Sequence, residues 1–361
     1  MKQVERAASA RKVETLPSRR FHRYPVLPPG VDLGPLQNLP GKWTSGETGW
    51  NMIALPFSNP AGPPFRLLLN QYKETLRFTF IDEKVANRGV TETLPHGKKD
   101  QFIVTLDYEQ SIEQVAAVDE PVSGDAGVPG GAIHHEPGLF LFMTNHVENP
   151  SGQDDDAIDI GRLASIPHGN SVLALGTSKI LDAPDKASLI PDISGLPTGI
   201  GPNPDINTHF WLRPYRRFSA TAVGGAPFMG NITVPGFPGF DPVRPSELLK
   251  FALQGLNIKK TTVLALDTTV QSAGISNIPF IERQADAVQM ASTFWIHELV
   301  EPDAEGDTQY VLQYLQDVSL DFFPRLDMPP GLIRWPHVSI NTLRKQPQRE
   351  WARPEPWVHK P

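Results

Sequence analysis

About ten segments of this 361-residue chain carry apolar residues at strand spacing, and one carries them at helix spacing. The strand-like segments are WNMIALPF (50–57), FRLLLNQYKETLRFTFI (65–81), QFIVTLDYEQSI (101–112), AIHHEPGLFLFM (132–143), GRLASI (161–166), NSVLALGTSKI (170–180), TTVLALDTTV (261–270), AVQMASTFWIHELV (287–300), QYVLQYLQDVSLDFF (309–323) and LIRWPHVSINTLRK (332–345). Side chains alternate between faces along a strand, so runs of this kind must stack on a second sheet or close on themselves. The helical stripe is PSELLKFALQGL (245–256), with Leu248, Leu249, Phe251, Ala252, Leu253 and Leu256 on one side and Ser246 placed as N-cap. Proline (37) and glycine (29) are spread over the whole length without a three-residue period, which is the punctuation of many short strands. The expectation is an all-β barrel or sandwich of about ten strands.

The strands fall in two groups around a Pro- and Gly-rich stretch, 181–260, which reads as an insertion into one barrel; two separate domains are the competing reading. Residues 1–40 read as an extended arm, because YPVLPPG (24–30) suits neither a central strand nor a helix interior. Residues 41–345 then form the barrel domain and 346–361 a proline-rich tail. Pro167-His168-Gly169 is turn chemistry that joins 161–166 to 170–180 as a hairpin, with His168 at its tip.

Charge and cysteine content narrow the function classes. Net charge is −7, yet residues 1–24 hold seven Lys/Arg against two acids and residues 344–361 five against two. The body, 25–343, therefore carries a net −15, which argues against nucleic-acid binding. The basic ends are expected to be solvated, or to touch a second subunit in a homo-oligomer. Without cysteine there are no disulfides, thiolate nucleophiles or zinc–cysteine sites. No run of 18 apolar residues exists for a membrane span, and the N-terminus lacks the apolar core of a secretory signal. Its Arg and Ser suggest a transit peptide only faintly, against Glu5 and Glu14, so a cytoplasmic location is expected.

One pattern places polar groups inside. Gln71-Tyr72-x-Glu74-x-Leu76, Asp107-Tyr108-x-Gln110-x-Ile112 and Gln313-Tyr314-x-Gln316-x-Val318 repeat at unequal spacings. In strands, Tyr72, Glu74, Leu76, Phe78 and Phe80 share one face, as do Tyr314, Gln316, Val318, Leu320 and Phe322. That face is apolar and should point inward, carrying Glu74, Gln110 and Gln316 with it. An unpartnered buried polar group costs roughly 1–3 kcal/mol, so these need one another, water or a ligand. They read either as a network that fixes strand register or as the polar floor of a cavity.

The chain has no G-x-S-x-G elbow, Walker loop, H-E-x-x-H or G-x-G-x-x-G. HELVE (297–301) ends in Glu301 where a zincin needs histidine, and DDDAIDIG (154–161) has the wrong offsets for an EF-hand. Histidines remain the main source of chemistry. His134 and Glu136 share a strand face with Phe140 and Phe142, unless Pro137-Gly138 forms a bulge. A carboxylate beside an imidazole fixes its tautomer and raises its basicity. His297 shares a face with Trp295, and His337 with Ile333, Trp335 and Ser339, unless Pro336 bulges.

GKWTSGETG (41–49) resembles the G-x-W-x-G-x-G opening of the nitrobindin-like haem proteins, which are calycin barrels. HHEPGLFL resembles that family's H-x-E-x-G-aromatic strand at His134, Glu136 and Gly138, RLASIPHGNSVLALG (162–176) its next hairpin, and WPHVSI (335–340) its last strand. The family places its haem-ligating histidine on that last strand, a position that falls on His337. The resemblance covers 41–176 and 287–345 in the right order, whereas the length and the 181–260 insertion have no counterpart. It implies a calycin-like (lipocalin- or nitrobindin-like) antiparallel barrel that binds a hydrophobic small molecule. Haem is the leading cofactor, with its iron on His337 and Trp335, His297, Tyr72 and Tyr314 around it. It also implies peroxide or nitrogen-oxide chemistry. Two other classes stay open: a cofactor-free isomerase, cyclase or dehydratase using Glu74, Glu136 and His134 on an apolar substrate, and a structural or oligomer-forming barrel without ligand.

Overall fold

The computed structural model describes residue 27 and residues 30–90, 98–143, 158–166, 168–270 and 272–347. Most of the expected arm, residues 154–157 of the acidic run, Pro167 and nearly all of the tail lie outside these, and with them the contacts expected of the basic ends. Twelve strands form one sheet: β1 (Gly41–Thr44), β2 (Gly49–Pro56), β3 (Phe65–Val90), β4 (Lys98–Glu120), β5 (Ala132–Met143), β6 (Ile160–Ile166), β7 (Asn170–Asp182), β8 (Ile258–Asp267), β9 (Gly274–Asn277), β10 (Asp286–Leu299), β11 (Tyr310–Pro324) and β12 (Leu332–Lys345). Antiparallel pairing runs from β2 through β8, on through β10 to β12, and back to β2 by Val338↔Met52 to Ile340↔Trp50. The result is a closed ten-stranded barrel, with β1 wedged between β12 and β3 and β9 on the edge of β7. The alternating runs thus bury one face by closure, as the sequence pattern demands.

β7 and β8 flank the insertion and pair from Leu175↔Asp267 to Asp182↔Lys260, so the chain re-enters the barrel beside the strand it left. The insertion covers a side of the barrel. Its Leu189, Ile190, Leu212, Tyr215, Phe218, Phe240, Leu248, Leu249 and Leu253 pack with Trp50, Met52, Leu67, Leu69, Trp295, Leu315, Val338 and Ile340 of the wall in one apolar cluster. Trp50 stacks on Phe240 with ring centroids 6.1 Å apart. Each such side chain contributes roughly 1.5–3 kcal/mol when fully buried, which holds a segment with little regular structure in place. The expected helix is shorter than its apolar stripe, Glu247–Leu253, and Ser246 does not cap it: its hydroxyl accepts from the Ile193 amide at 3.4 Å instead.

The bulge anticipated at Pro137-Gly138 does not occur. Glu109↔Pro137 and Tyr108↔Gly138 continue the β4–β5 ladder, and the register shifts only between Ile112 and Glu113. Pro336 likewise stays in register, opposite Ser319. Strand parity therefore holds, and the interior can be read along β11. Leu312 lies in the apolar cluster of Leu33, Leu36, Leu39, Trp43, Phe78 and Phe140; those three leucines, from the segment read as an arm, are fully buried there. Tyr314 and Gln316 follow at a polar layer, and Val318 and Leu320 line a cavity. Among the described residues no helix is long and apolar enough to cross a membrane.

Candidate functional site

The polar layer has two parts. In the first, Glu74 accepts hydrogen bonds from Gln110 Nε2 (2.8 Å), the Tyr314 hydroxyl (2.7 Å) and Asn341 Nδ2 (2.8 Å). The Tyr72 hydroxyl lies 2.8 Å from that of Tyr314 and donates to the Ile340 carbonyl at 3.0 Å. All five side chains are buried. Burial pushes the Glu74 carboxyl above its ordinary range, partly offset by the bonds from Gln110, Asn341 and Tyr314. Among the described residues no cation forms an ion pair with it. None of Tyr72, Glu74, Gln110, Tyr314 and Asn341 lines the cavity.

In the second part Glu136 meets a cation. Its Oε1 accepts from Arg162 Nη2 at 2.6 Å and from the Tyr108 hydroxyl, and its Oε2 lies 3.1 Å from His134 Nε2. Arg162 also donates from Nε to Tyr108 (3.0 Å) and from Nη1 to Gln316 Oε1 (2.7 Å). The guanidinium stands 5.4 Å from the ring centres of Tyr108 and Phe294. Burial alone would raise the Glu136 pKa, but the Arg162 charge and the bonds from His134 and Tyr108 pull it down to about 2. Gly138 makes room for this group: a Cβ there would overlap the Leu163 carbonyl oxygen and the Tyr108 ring. The glycine of HHEPG thus allows Tyr108 to reach Glu136.

Beyond this layer lies a cavity of about 260 Å³. Its walls are Ile53 and Leu55 of β2, Ile166 and Val172 of the β6–β7 hairpin, Ala287 and Met290 of β10, and Val318 and Leu320 of β11; polar groups come from His134, His168, Asn170, Gln316 and His337. Ile275 of β9, with Ile281 and Ala285 in and just after a short helix α1 (Pro279–Gln284), completes the lining. The 181–260 insertion supplies none of it.

His337 faces the cavity with no hydrogen-bond partner among the described residues. Burial, with lesser effects of His134 and His168, lowers its pKa to about 4, so the ring is neutral near pH 7. His168 is exposed in the turn, as expected, and is also part of the cavity's rim. It lines the cavity with its ring centre 5.5 Å from that of His134, and its pKa is lowered by burial and by His134 against a hydrogen bond to the Ile133 backbone. The described histidines and acids nowhere group so as to hold one metal ion.

The other site candidates lie elsewhere. His297 is buried between Thr261 (Oγ1 2.9 Å) and Gln313 (Oε1 3.3 Å), and Gln313 in turn donates to the Leu249 carbonyl of the insertion. Burial takes its pKa to about 4, so it is a neutral strut of the outer wall. Trp335 sits among Phe65, Phe322 and Trp211, with its indole N–H on the Phe322 carbonyl (3.0 Å), and does not line the cavity. Sequence reasoning missed Arg162. The signal was available: in IGRLASI it shares parity with Ile160 and Ala164, so an inward cation should have been sought for Glu136.

No known family model matches the chain, and no curated protein does. A solved structure, the crystal structure of Rv2717c from M. tuberculosis, is similar to it at 12% identity and a TM-score of 0.33, over 88% of this chain and 100% of that one. So distant a likeness carries no argument; the barrel rests on the strand pairings above.

Proposed function

We propose that the barrel binds a hydrophobic small molecule in the cavity between Val318, Met290, Ile53 and His337, and that haem is its leading candidate, as in the nitrobindin-like proteins that the sequence resembles. The observation that carries the reading is His337: a neutral imidazole, free of protein hydrogen bonds among the described residues, on the wall of an otherwise mostly apolar chamber. The donor chemistry fits. Iron takes a neutral imidazole, the aliphatic walls suit the porphyrin face, and His134, His168, Asn170 and Gln316 offer polar contacts for its propionates. The cavity is smaller than the roughly 300–1,000 Å³ of most small-molecule sites. A group of haem's size therefore needs the wall around α1 to give way. When bound through one histidine, haem supplies peroxide or nitrogen-oxide chemistry. His337 would hold the group, while His134, backed by Glu136, would offer a polar contact near its edge.

Haem added to the purified protein should give a Soret band that is lost in His337→Ala and kept in His297→Ala. Absence of a band in wild type ends the haem reading and leaves that of a hydrophobic ligand. The second reading, a cofactor-free enzyme, is favoured by one observation, the ionised Glu136 behind the cavity-lining His134. Glu74, Tyr72 and Tyr314 have no place in it, because they do not reach the cavity.

A further inference from the structure

We infer that Gln316 is the cavity's fixed hydrogen-bond donor and that the site takes apolar molecules bearing a carbonyl oxygen. The inference rests on the binding reading above and names the class of ligand.

Gln316 belongs to both the polar layer and the cavity lining. Its Oε1 lies 2.7 Å from Arg162 Nη1. A guanidinium has donors only, so the amide oxygen must be the end that faces it, and the NH₂ group is turned the other way. That NH₂ group has no hydrogen-bond partner among the described residues. Arg162 itself is held on four sides, by Glu136, Tyr108, Gln316 and, at 3.5 Å, Ser292, so it does not release the amide. An amide rotor that would otherwise sample both orientations is fixed with two N–H bonds on the chamber side.

The rest of the chamber defines what sits there. Eleven of the sixteen lining residues are aliphatic or methionine, which selects an apolar body. Arg162 and Glu136 neutralise each other behind the wall, so the pair presents no net charge to the amide, whose N–H groups serve a carbonyl oxygen. A ligand without an acceptor would strip water from the Gln316 N–H groups and give nothing back, and discrimination follows from that loss. Gln316 is the specificity-determining residue and Arg162 the positioning residue.

The test is displacement of 1-aminoanthracene fluorescence by camphor and by bornane, two compounds of one shape that differ by a carbonyl oxygen. Wild type should prefer camphor by about tenfold. Gln316→Leu should bring the two compounds level. Because Gln316→Leu also removes a partner of Arg162 and so threatens the fold, Gln316→Glu serves beside it: the carboxylate keeps the acceptor that Arg162 uses and removes the donor. It too should lose the preference, with circular dichroism and melting temperature confirming the fold. Equal affinity of wild type for both compounds overturns the inference and leaves the binding site standing. Retention of the preference in Gln316→Glu also overturns it. Failure of dye and both compounds to bind wild type overturns the binding reading, and the inference with it.

Discussion

Two carboxylates, Glu74 on β3 and Glu136 on β5, are buried in one barrel with β4 between them, and their surroundings shift their pKa values in opposite directions. Glu74 is surrounded by amide and phenol donors alone, and burial lifts its pKa. Glu136 has the Arg162 guanidinium 2.6 Å away and stays ionised down to about pH 2. The first group has no part in the lining of that cavity and every one of its members is answered by another; it closes the floor. The second opens on the cavity through His134 and Gln316, each held from behind by the ion pair. Where a buried charge is balanced by another charge, the side chains around it can be left with free donors and acceptors, and that is where a ligand is received. Where burial is balanced by neutral hydrogen bonds, all of them are consumed and the group serves the fold.

The largest test of this contrast is Glu136→Gln. It leaves Arg162 buried without a counter-charge and should cost about 3–5 kcal/mol in urea unfolding. The double variant Glu136→Gln/Arg162→Met should lose less than the two singles together; strict additivity would mean that the pair is not coupled. Acid unfolding tests the same group next. Its folded pKa lies below the ordinary 4.5, at about 2, so its stabilisation is present above pH 4.5 and lost as pH falls toward 2. The wild-type minus Glu136→Gln difference should shrink by about 3 kcal/mol across that window, and a difference independent of pH would mean that Glu136 is not ionised in the fold.

Much of this was legible in the residues. Strand parity, read from Tyr72 to Phe80 and from Tyr314 to Phe322, put Glu74, Gln110 and Gln316 inside, because a period of two admits only two faces and one was apolar. It also put His337 inside. Parity says nothing about height along the barrel axis, however, and this is why Tyr72 and Tyr314 were placed with His337 although they belong to the floor. Nor does it tell an inner face from an outer wall buried by another segment. His297 follows the apolar Trp295 for that reason, and the insertion, whose helix reaches Gln313, makes that outer face look like a second interior. The β9 and α1 segment was invisible because Gly274–Asn277 is too short for a periodic signal, and its apolar residues Ile278, Phe280 and Ile281 follow neither period.

Glu74→Gln probes the floor and should behave in the opposite sense to Glu136→Gln. Its folded pKa is raised, so its contribution is greatest below the ordinary carboxylate value and is lost as pH rises through the folded one. The glutamine keeps one acceptor and turns a donor toward the amide and phenol groups that address Glu74, a cost of about 1–3 kcal/mol at low pH. That cost should diminish as pH rises, because the variant has no charge to bury. A cost that grows with pH would show a cation near Glu74 and erase the distinction between the two carboxylates.

The smallest effect, and the sharpest on whether floor and cavity are separate, is Tyr72→Phe. The ring stays; what goes is a hydroxyl 2.8 Å from Tyr314 and 3.0 Å from the Ile340 carbonyl. Losing one neutral hydrogen bond of this kind costs about 1 kcal/mol. Tyr314 still donates to Glu74, and Arg162 still holds Gln316, so nothing on the cavity side is released. Camphor displacement and haem uptake should therefore match wild type while the melting temperature falls by a few degrees. If binding weakened tenfold with so little lost stability, Tyr72 would be passing its orientation through Tyr314 to Gln316, two residues on along β11. The floor and the cavity would then have to be treated as one site.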